Sequence, residues 1–158
     1  MFLEMKVSGI ALDPFTNTPI VILKDLSGEK MLPIWIGFME ASSIAIELEK
    51  TPRLRPLTHD LVKSLLDAAD CTISRVDVTE LKDNTFYASI RLKKGKKEQI
   101  IDSRPSDAIA IALRTGSPIF VKDEVIEQSK KIEIDEDRNK VKQMLEELPD
   151  KDFGKYRM

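Results

Sequence analysis

The hydrophobic positions fall into short runs cut by turn-forming residues, and their period changes along the chain. Residues 3–12, 19–24 and 30–36 are rich in Val, Ile and Leu and are separated by "DPFTNTP" and "LSGE", which predicts three strands joined as two hairpins. In "FMEASSIAIELEK" the apolar positions Ala41, Ile44, Ala45 and Leu48 shift to helical spacing, predicting a helix over 38–49 with one buried stripe. The order then recurs. A short helix over 59–69 precedes strands at 72–81, 85–94 and 98–102 and a helix at 105–115, ended by Gly116 where a left-handed cap belongs. Phe86, Ala88, Ile90 and Leu92 alternate along one face of the middle strand. "IAIELEKTP" at 44–52 aligns with "IAIALRTGSP" at 109–118 through Leu48 and Leu113, an offset of 65 residues.

The expected fold is therefore α+β: a single domain holding a tandem duplication of a β-β-β-α unit, repeats at about 3–50 and 70–116, with a mixed or antiparallel sheet. "PIFVKDEVI" is expected to add a short strand. "DEDRNKVKQMLEELPDKDF" predicts a C-terminal helix with Val141, Met144, Leu145 and Leu148 on one stripe, stopped by Pro149, and a loose tail beyond Phe153. The domain boundary is set at 126, with 127–158 as a helical extension.

Composition narrows the classes. A chain of 158 residues can bury a sizeable core without disulfide or metal, and the lone Cys71 has no internal partner. No stretch at the start has the order of a secretory signal and no run is long enough to span a bilayer, so a cytoplasmic protein without a membrane partner is expected. The net charge of -2 gives no general attraction to polyanions, and "KKGKK" at 93–97 reads as the solvated tip of a hairpin. Charged residues make up 33%, rich in Lys and Glu, a balance found in heat-adapted proteins, which predicts thermostability.

The chain has no phosphate-binding glycine loop, no CxxC, no HExxH and no nucleophile elbow, and with one His and one Cys it cannot build a His- or Cys-rich zinc site by itself. Carboxylates, arginines and His59 remain. "RLRPLTHDL" places Arg53, Arg55, His59 and Asp60 around the connection between the two repeats, with Thr58 as the expected cap of the next helix. "IDSRPSDAIAIALRTGSPIF" crowds Asp102, Arg104, Ser106 and Asp107 in front of a helix that is apolar all round and therefore buried. Ser103 or Ser106 can cap it, Pro105 suits its first turn, and Asp107 and Arg114 suit its two dipole ends. Arg104 has no such local account. Pairing with Asp102, with Asp107 and with the 53–60 connection is expected.

"LPIWIGFMEASSIAIELE", "PRLRPLTHDLVKSLL", "NTFYASIRL" and above all "IDSRPSDAIAIALRTGSPIFV" resemble the bifunctional nuclease family, in matching order over about residues 3–126. "KQMLEELPDKDF" resembles a fragment of the helical tail, related to nucleotide-excision repair subunits, that some members carry. The resemblance implies hydrolysis of phosphodiester bonds in both DNA and RNA. An enzyme that cuts both cannot depend on the 2'-hydroxyl as nucleophile, so it must activate water and stabilise charge on the phosphorus. On that reading Glu40, His59, Asp60, Asp102 and Asp107 are the catalytic candidates. Two of Glu40, Asp102 and Asp107 could hold Mg²⁺ or Mn²⁺, with waters filling the other positions and no organic cofactor. Imidazoles titrate near neutral pH, so His59 is the candidate general acid or base, and Arg53, Arg55 and Arg104 are the candidate phosphate binders.

The rival expectation is a non-catalytic interaction or regulatory domain in which the same charges hold the repeats together. Convergence of these residues on one open cleft favours catalysis, and internal pairing without a cavity favours the rival. The bulky "LPIWIG" and the amphipathic C-terminal helix predict a homo-oligomer, most simply a two-fold dimer.

Overall fold

The structure is a computed structural model that describes residues 1–131 and 144–146. The first three apolar runs form β1 (Phe2–Leu12), β2 (Pro19–Asp25) and β3 (Met31–Trp35), and the helical spacing that follows forms α1 (Phe38–Leu48). A second helix, α2 (Thr58–Ala68), leads into β4 (Thr72–Lys82), β5 (Thr85–Lys94), β6 (Lys97–Ser103) and α3 (Pro105–Thr115). These boundaries follow the sequence pattern closely because each run ends in turn chemistry: Gly95 at the β5–β6 tip has φ 60° and Gly116 caps α3 at φ 69°, in the left-handed region that favours glycine. The chain then forms β7 (Ile119–Lys122) and α4 (Asp123–Lys131).

All seven strands share one sheet in the order β3-β2-β1-β7-β4-β5-β6. Every described neighbour pair is antiparallel except β4 with β7, which is parallel. The short β7 thus joins two meanders, and the fold is a single α+β domain with a mixed sheet. Both halves run outward from β7 in the same order, β1-β2-β3 on one side and β4-β5-β6 on the other, which is the order a repeat requires.

Alternation along the strands sorts the core onto two faces. Met5, Val21, Leu23, Leu32, Ile34, Val76, Val78, Ala88, Ile119 and Val121 pack with Ala41, Ile44 and Ala45 of α1 and with Ala108, Ile109 and Ala112 of α3. Ile20 and Ile22 point to the other face and meet Leu145. β2 is therefore buried on both faces, which is why "PIVIL" reads as a continuous apolar run. α3 packs against α1, α2, β4 and β5, and its alanines let these neighbours approach closely, so it is buried nearly all round as its composition requires.

Four expectations need correction. Residues 123–126 of "PIFVKDEVI" open a helix rather than extend the strand, and Val125 and Ile126 are core residues of α4, so the boundary set at 126 falls inside a packed helix. Most of "LPIW" is spent within the chain: Leu32, Pro33 and Ile34 are buried, and the partly exposed Trp35 donates from its indole to Asp13 at 3.0 Å. Leu57, not Thr58, is the cap residue of α2, and neither Ser103 nor Ser106 caps α3, whose cap residue is Arg104 followed by Pro105. Of the predicted C-terminal stripe, Leu145 is buried and Met144 exposed, whereas Val141, Leu148, Pro149 and the tail lie outside the described residues.

Candidate active site

Three helices meet end to side around one cleft, and each brings one member of a hydrogen-bonded line. α1 carries Ser43, α2 carries His59 in its first turn, and α3 carries Asp107 in its first turn. His59 Nε2 lies 2.9 Å from Asp107 Oδ1, and its Nδ1 lies 2.6 Å from Ser43 Oγ. Burial opposes ionisation of Asp107, but the Arg104 guanidinium and the His59 ring outweigh it and hold the carboxyl below its ordinary value. An ionised carboxylate can only accept, so His59 carries a proton on Nε2, and in the neutral ring Nδ1 is then the lone pair that accepts the Ser43 hydroxyl.

Arg104 closes the opposite side. Its Nε and Nη2 fork onto Asp107 at 2.8 and 3.2 Å, and its Nη1 donates to Glu40 Oε1 at 2.9 Å. Asp107 and Glu40 raise the affinity of this guanidinium for its proton, so the charge is fixed. With its side chain 62% exposed, Arg104 remains open to an anion arriving from solvent. Glu40 reaches it by folding back over the start of α1, where a Cβ on Gly37 would collide with the Glu40 carboxylate. The cleft has a volume of about 580 Å³ and is lined by Glu40, Ser43, His59, Arg104 and Asp107 on its polar side and by Met39, Ile46, Pro56 and Leu57 on its apolar side.

Behind the cleft lies a second, buried ion network. Arg114 Nε donates to Asp60 Oδ1 at 2.7 Å, Nη1 to the Ala110 carbonyl at 2.9 Å and Nη2 to the Ser43 carbonyl at 3.0 Å. One guanidinium thus ties α1, α2 and α3 together directly beneath the Ser43 and His59 side chains. Asp60 also accepts the Leu57 amide at 2.9 Å, closing the first turn of α2, and meets Arg53 at 3.3 Å. Burial works against this carboxylate too, yet the Leu57 amide and Arg114 keep its pKa lowered.

The structure therefore brings together Glu40, His59, Arg104 and Asp107 but divides the other candidates. Asp60 is taken up by structural partners and does not line the cleft. Arg53 is held by Glu47 at 2.7 Å and by Asp60, so it braces the 53–60 connection rather than facing solvent. Arg55 is exposed, next in the chain to Pro56 of the cleft wall, and is not itself among the lining residues. Asp102 sits opposite Ser89, which sits opposite Asp77, and residues paired directly across strands share a face; Asp102 is thus on the sheet face away from the helices and forms no network with Arg104. Of the three carboxylates offered as metal ligands, Glu40 and Asp107 lie on either side of Arg104 and Asp102 lies on the other face of the sheet; among the described residues no group of three His, Cys, Asp or Glu side chains is placed to share an ion. The dipole account of Arg114 was also too small, because the side chain is a buried clamp. Ser43 was missed; its only signal was a polar residue on the edge of the buried stripe of α1.

Asp13, Asp25, Asp60 and Asp107 all have lowered pKa values although burial, the largest influence on each, raises them. A carboxylate whose folded pKa is depressed contributes stability that is fully present above its unfolded value and lost as pH falls through the folded one. Thermal melts are therefore expected to be flat down to about pH 4 and to drop steeply below it; a midpoint unchanged at pH 2.5 contradicts the assigned pairings.

A sequence profile for the bifunctional nuclease domain matches residues 21–134, a span that contains every cleft residue named above. An uncharacterized protein of Mycobacterium tuberculosis is 40% identical over 126 residues, which is 80% of this chain and 75% of the relative. Proteins named bifunctional nuclease 1 from Oryza sativa subsp. indica and Arabidopsis thaliana are 32% and 30% identical over 114 and 117 residues. Those matches take in 69% and 72% of this chain but 34% and 36% of the plant proteins, so the chain spans about a third of their length.

Proposed function

Because this chain belongs to the bifunctional nuclease family, we propose that it hydrolyses phosphodiester bonds in DNA and RNA at the cleft between α1, α2 and α3. The observation that carries the reading is convergence: His59, Asp107, Arg104 and Glu40 come from distant parts of the chain and meet on one open cleft, the arrangement that favours catalysis over a purely structural charge network. Arg104 binds the phosphate and stabilises charge developing on its oxygens, with Arg55 available to an adjoining phosphate. His59 exchanges the reacting proton through Nδ1. Asp107 holds the ring and its tautomer, and Glu40 holds Arg104. The apolar wall of Met39, Ile46, Pro56 and Leu57 gives a nucleobase a surface to lie on.

His59→Ala is expected to lower cleavage of both DNA and RNA by about a hundredfold or more, the scale for losing a general acid or base, with a small change in melting temperature. Gel assays on single- and double-stranded DNA and RNA, run with Mg²⁺, with Mn²⁺ and with chelator, test this. Cleavage by His59→Ala at the parent rate removes His59 from the chemistry. A parent protein that cuts nothing under any of these conditions makes the interaction-domain reading the better one.

We also propose self-association through α2. Its half-buried side uses His59, Val62 and Leu66, while Leu57, Leu61 and Leu65 recur every four residues on the outside and are exposed, as is Leu54. This ridge can pair with itself about a two-fold axis. Light scattering is expected to report two chains for the parent and one for Leu61→Asp; a parent mass of one chain at micromolar concentration rejects the dimer.

A further inference from the structure

We propose that Ser43 is the nucleophile of the cleft, and that cleavage passes through a phosphodiester linking Ser43 to one of the two product strands. The inference rests on the phosphodiesterase reading and names the attacking atom it leaves open.

The geometry that points to it is the directed line Ser43 Oγ, His59 Nδ1, His59 Nε2, Asp107 Oδ1, with separations of 2.6 Å and 2.9 Å. Asp107 accepts only, so Nε2 carries a proton, and in the neutral ring, the form that acts as base, the Nδ1 lone pair faces the Ser43 hydroxyl. A serine hydroxyl is a weak nucleophile until a base takes its proton, and here the base is in contact and is itself oriented by a third group. The backbone beneath is pinned by the 3.0 Å bond from Arg114 to the Ser43 carbonyl, and the hydroxyl opens on the same cleft as Arg104. An anion drawn to Arg104 is thereby placed beside Ser43.

The bonds balance without an outside reactant other than water. Ser43 Oγ attacks phosphorus as its proton passes to His59 Nδ1; the Oγ–P bond forms, the P–O bond to the departing strand breaks, and that oxygen takes the proton from Nδ1. Water then gives a proton to Nδ1 while its oxygen bonds to phosphorus, the Ser43 Oγ–P bond breaks, and Oγ recovers the proton. The attacking oxygen belongs to the protein, so the sugar's 2'-hydroxyl is not needed and DNA and RNA are equally open to the reaction.

Two displacements at one phosphorus restore its configuration, whereas direct attack by water inverts it. Cleavage of oligonucleotides carrying one stereodefined phosphorothioate is therefore expected to proceed with retention, and Ser43→Ala to lose at least about a thousandfold in rate while melting within a few degrees of the parent. A fluorophosphonate provides a readout that needs no nucleic acid: the parent is expected to gain the mass of the phosphonyl group on the peptide containing Ser43, with loss of fluoride, and His59→Ala to label far more slowly. Retention with labelling at Ser43 supports the proposal. Inversion, or parent-like cleavage by Ser43→Ala, overturns it and leaves the nuclease reading standing. Labelling of Ser43 in a protein that cuts no nucleic acid supports the nucleophile and overturns the nuclease reading; neither cleavage nor labelling overturns both.

Discussion

Replacing Arg114 by Ala is expected to destabilise the fold by about 3–5 kcal/mol, the range for removing one partner of a buried ion pair, and to lower the melting temperature by roughly 10 °C or more. The side chain is 2% exposed and its guanidinium satisfies one carboxylate and two carbonyls on three helices. Truncation leaves Asp60 with Arg53 as its remaining cation and leaves the Ser43 and Ala110 carbonyls without that donor. Arg114→Lys keeps the charge but has a single nitrogen where three contacts diverge, so it should recover only part of the loss. Asp60→Asn introduced together with Arg114→Met removes both charges and is expected to be less damaging than the sum of the two single changes. Thermal or urea melts of these variants check the argument. Arg114→Ala melting within two degrees of the parent means that the clamp contributes little. Activity should fall as well, since the same bond fixes the Ser43 backbone.

The distance between what the sequence revealed and what it hid follows from the range of the forces involved. Elements whose ends are set by local chemistry were legible: Gly116 must adopt a left-handed φ, Pro105 must open a helix, and the alternation through Phe86, Ala88 and Ile90 must face one side. α4 was missed because "KDEVIEQSKK" has only Val125 and Ile126 as buried apolar anchors, too few to display a period. Within the site, Arg104 was visible as a cation at a helix start that no local account covered, His59 as the one imidazole of the chain, and Asp107 as the carboxylate beside Arg104 available to pair with it. Ser43 and Arg114 each had an adequate local explanation, a polar edge position and a favourable dipole end, so nothing in the pattern marked them. Their roles exist only once α1, α2 and α3 are packed. Asp102 failed for the converse reason. It is close to Asp107 in sequence, but β6 reaches Ser103 before the chain turns into α3, and the period of two along the strand puts Asp102 on the far face.

Asp107→Asn exchanges one oxygen for an amide nitrogen and is expected to lower cleavage about ten-thousandfold, the scale seen when an orienting carboxylate of a hydroxyl–imidazole pair becomes an amide. The Asp107 carboxylate does two things through two neighbours: it accepts from His59 Nε2 at 2.9 Å and from Arg104 Nε at 2.8 Å. An amide that keeps its oxygen toward the charged guanidinium turns its NH₂ toward His59. The ring must then accept at Nε2 and carry its proton on Nδ1, so the atom facing Ser43 becomes a donor and can no longer take the hydroxyl proton. Shape is nearly unchanged, and the melting temperature should move by only a few degrees through weakening of the Arg104 pair, whose side chain is largely exposed. Glu40→Gln provides the comparison, because it weakens the hold on Arg104 without touching the ring; it is expected to raise KM more than it lowers kcat, whereas Asp107→Asn lowers kcat. Direct observation of the imidazole nitrogens by ¹⁵N NMR gives a readout independent of turnover, with the proton expected on Nε2 in the parent and on Nδ1 in Asp107→Asn. If the parent already carries its proton on Nδ1, the ring cannot act on Ser43 as described, and the direction of proton flow through the cleft must be reversed.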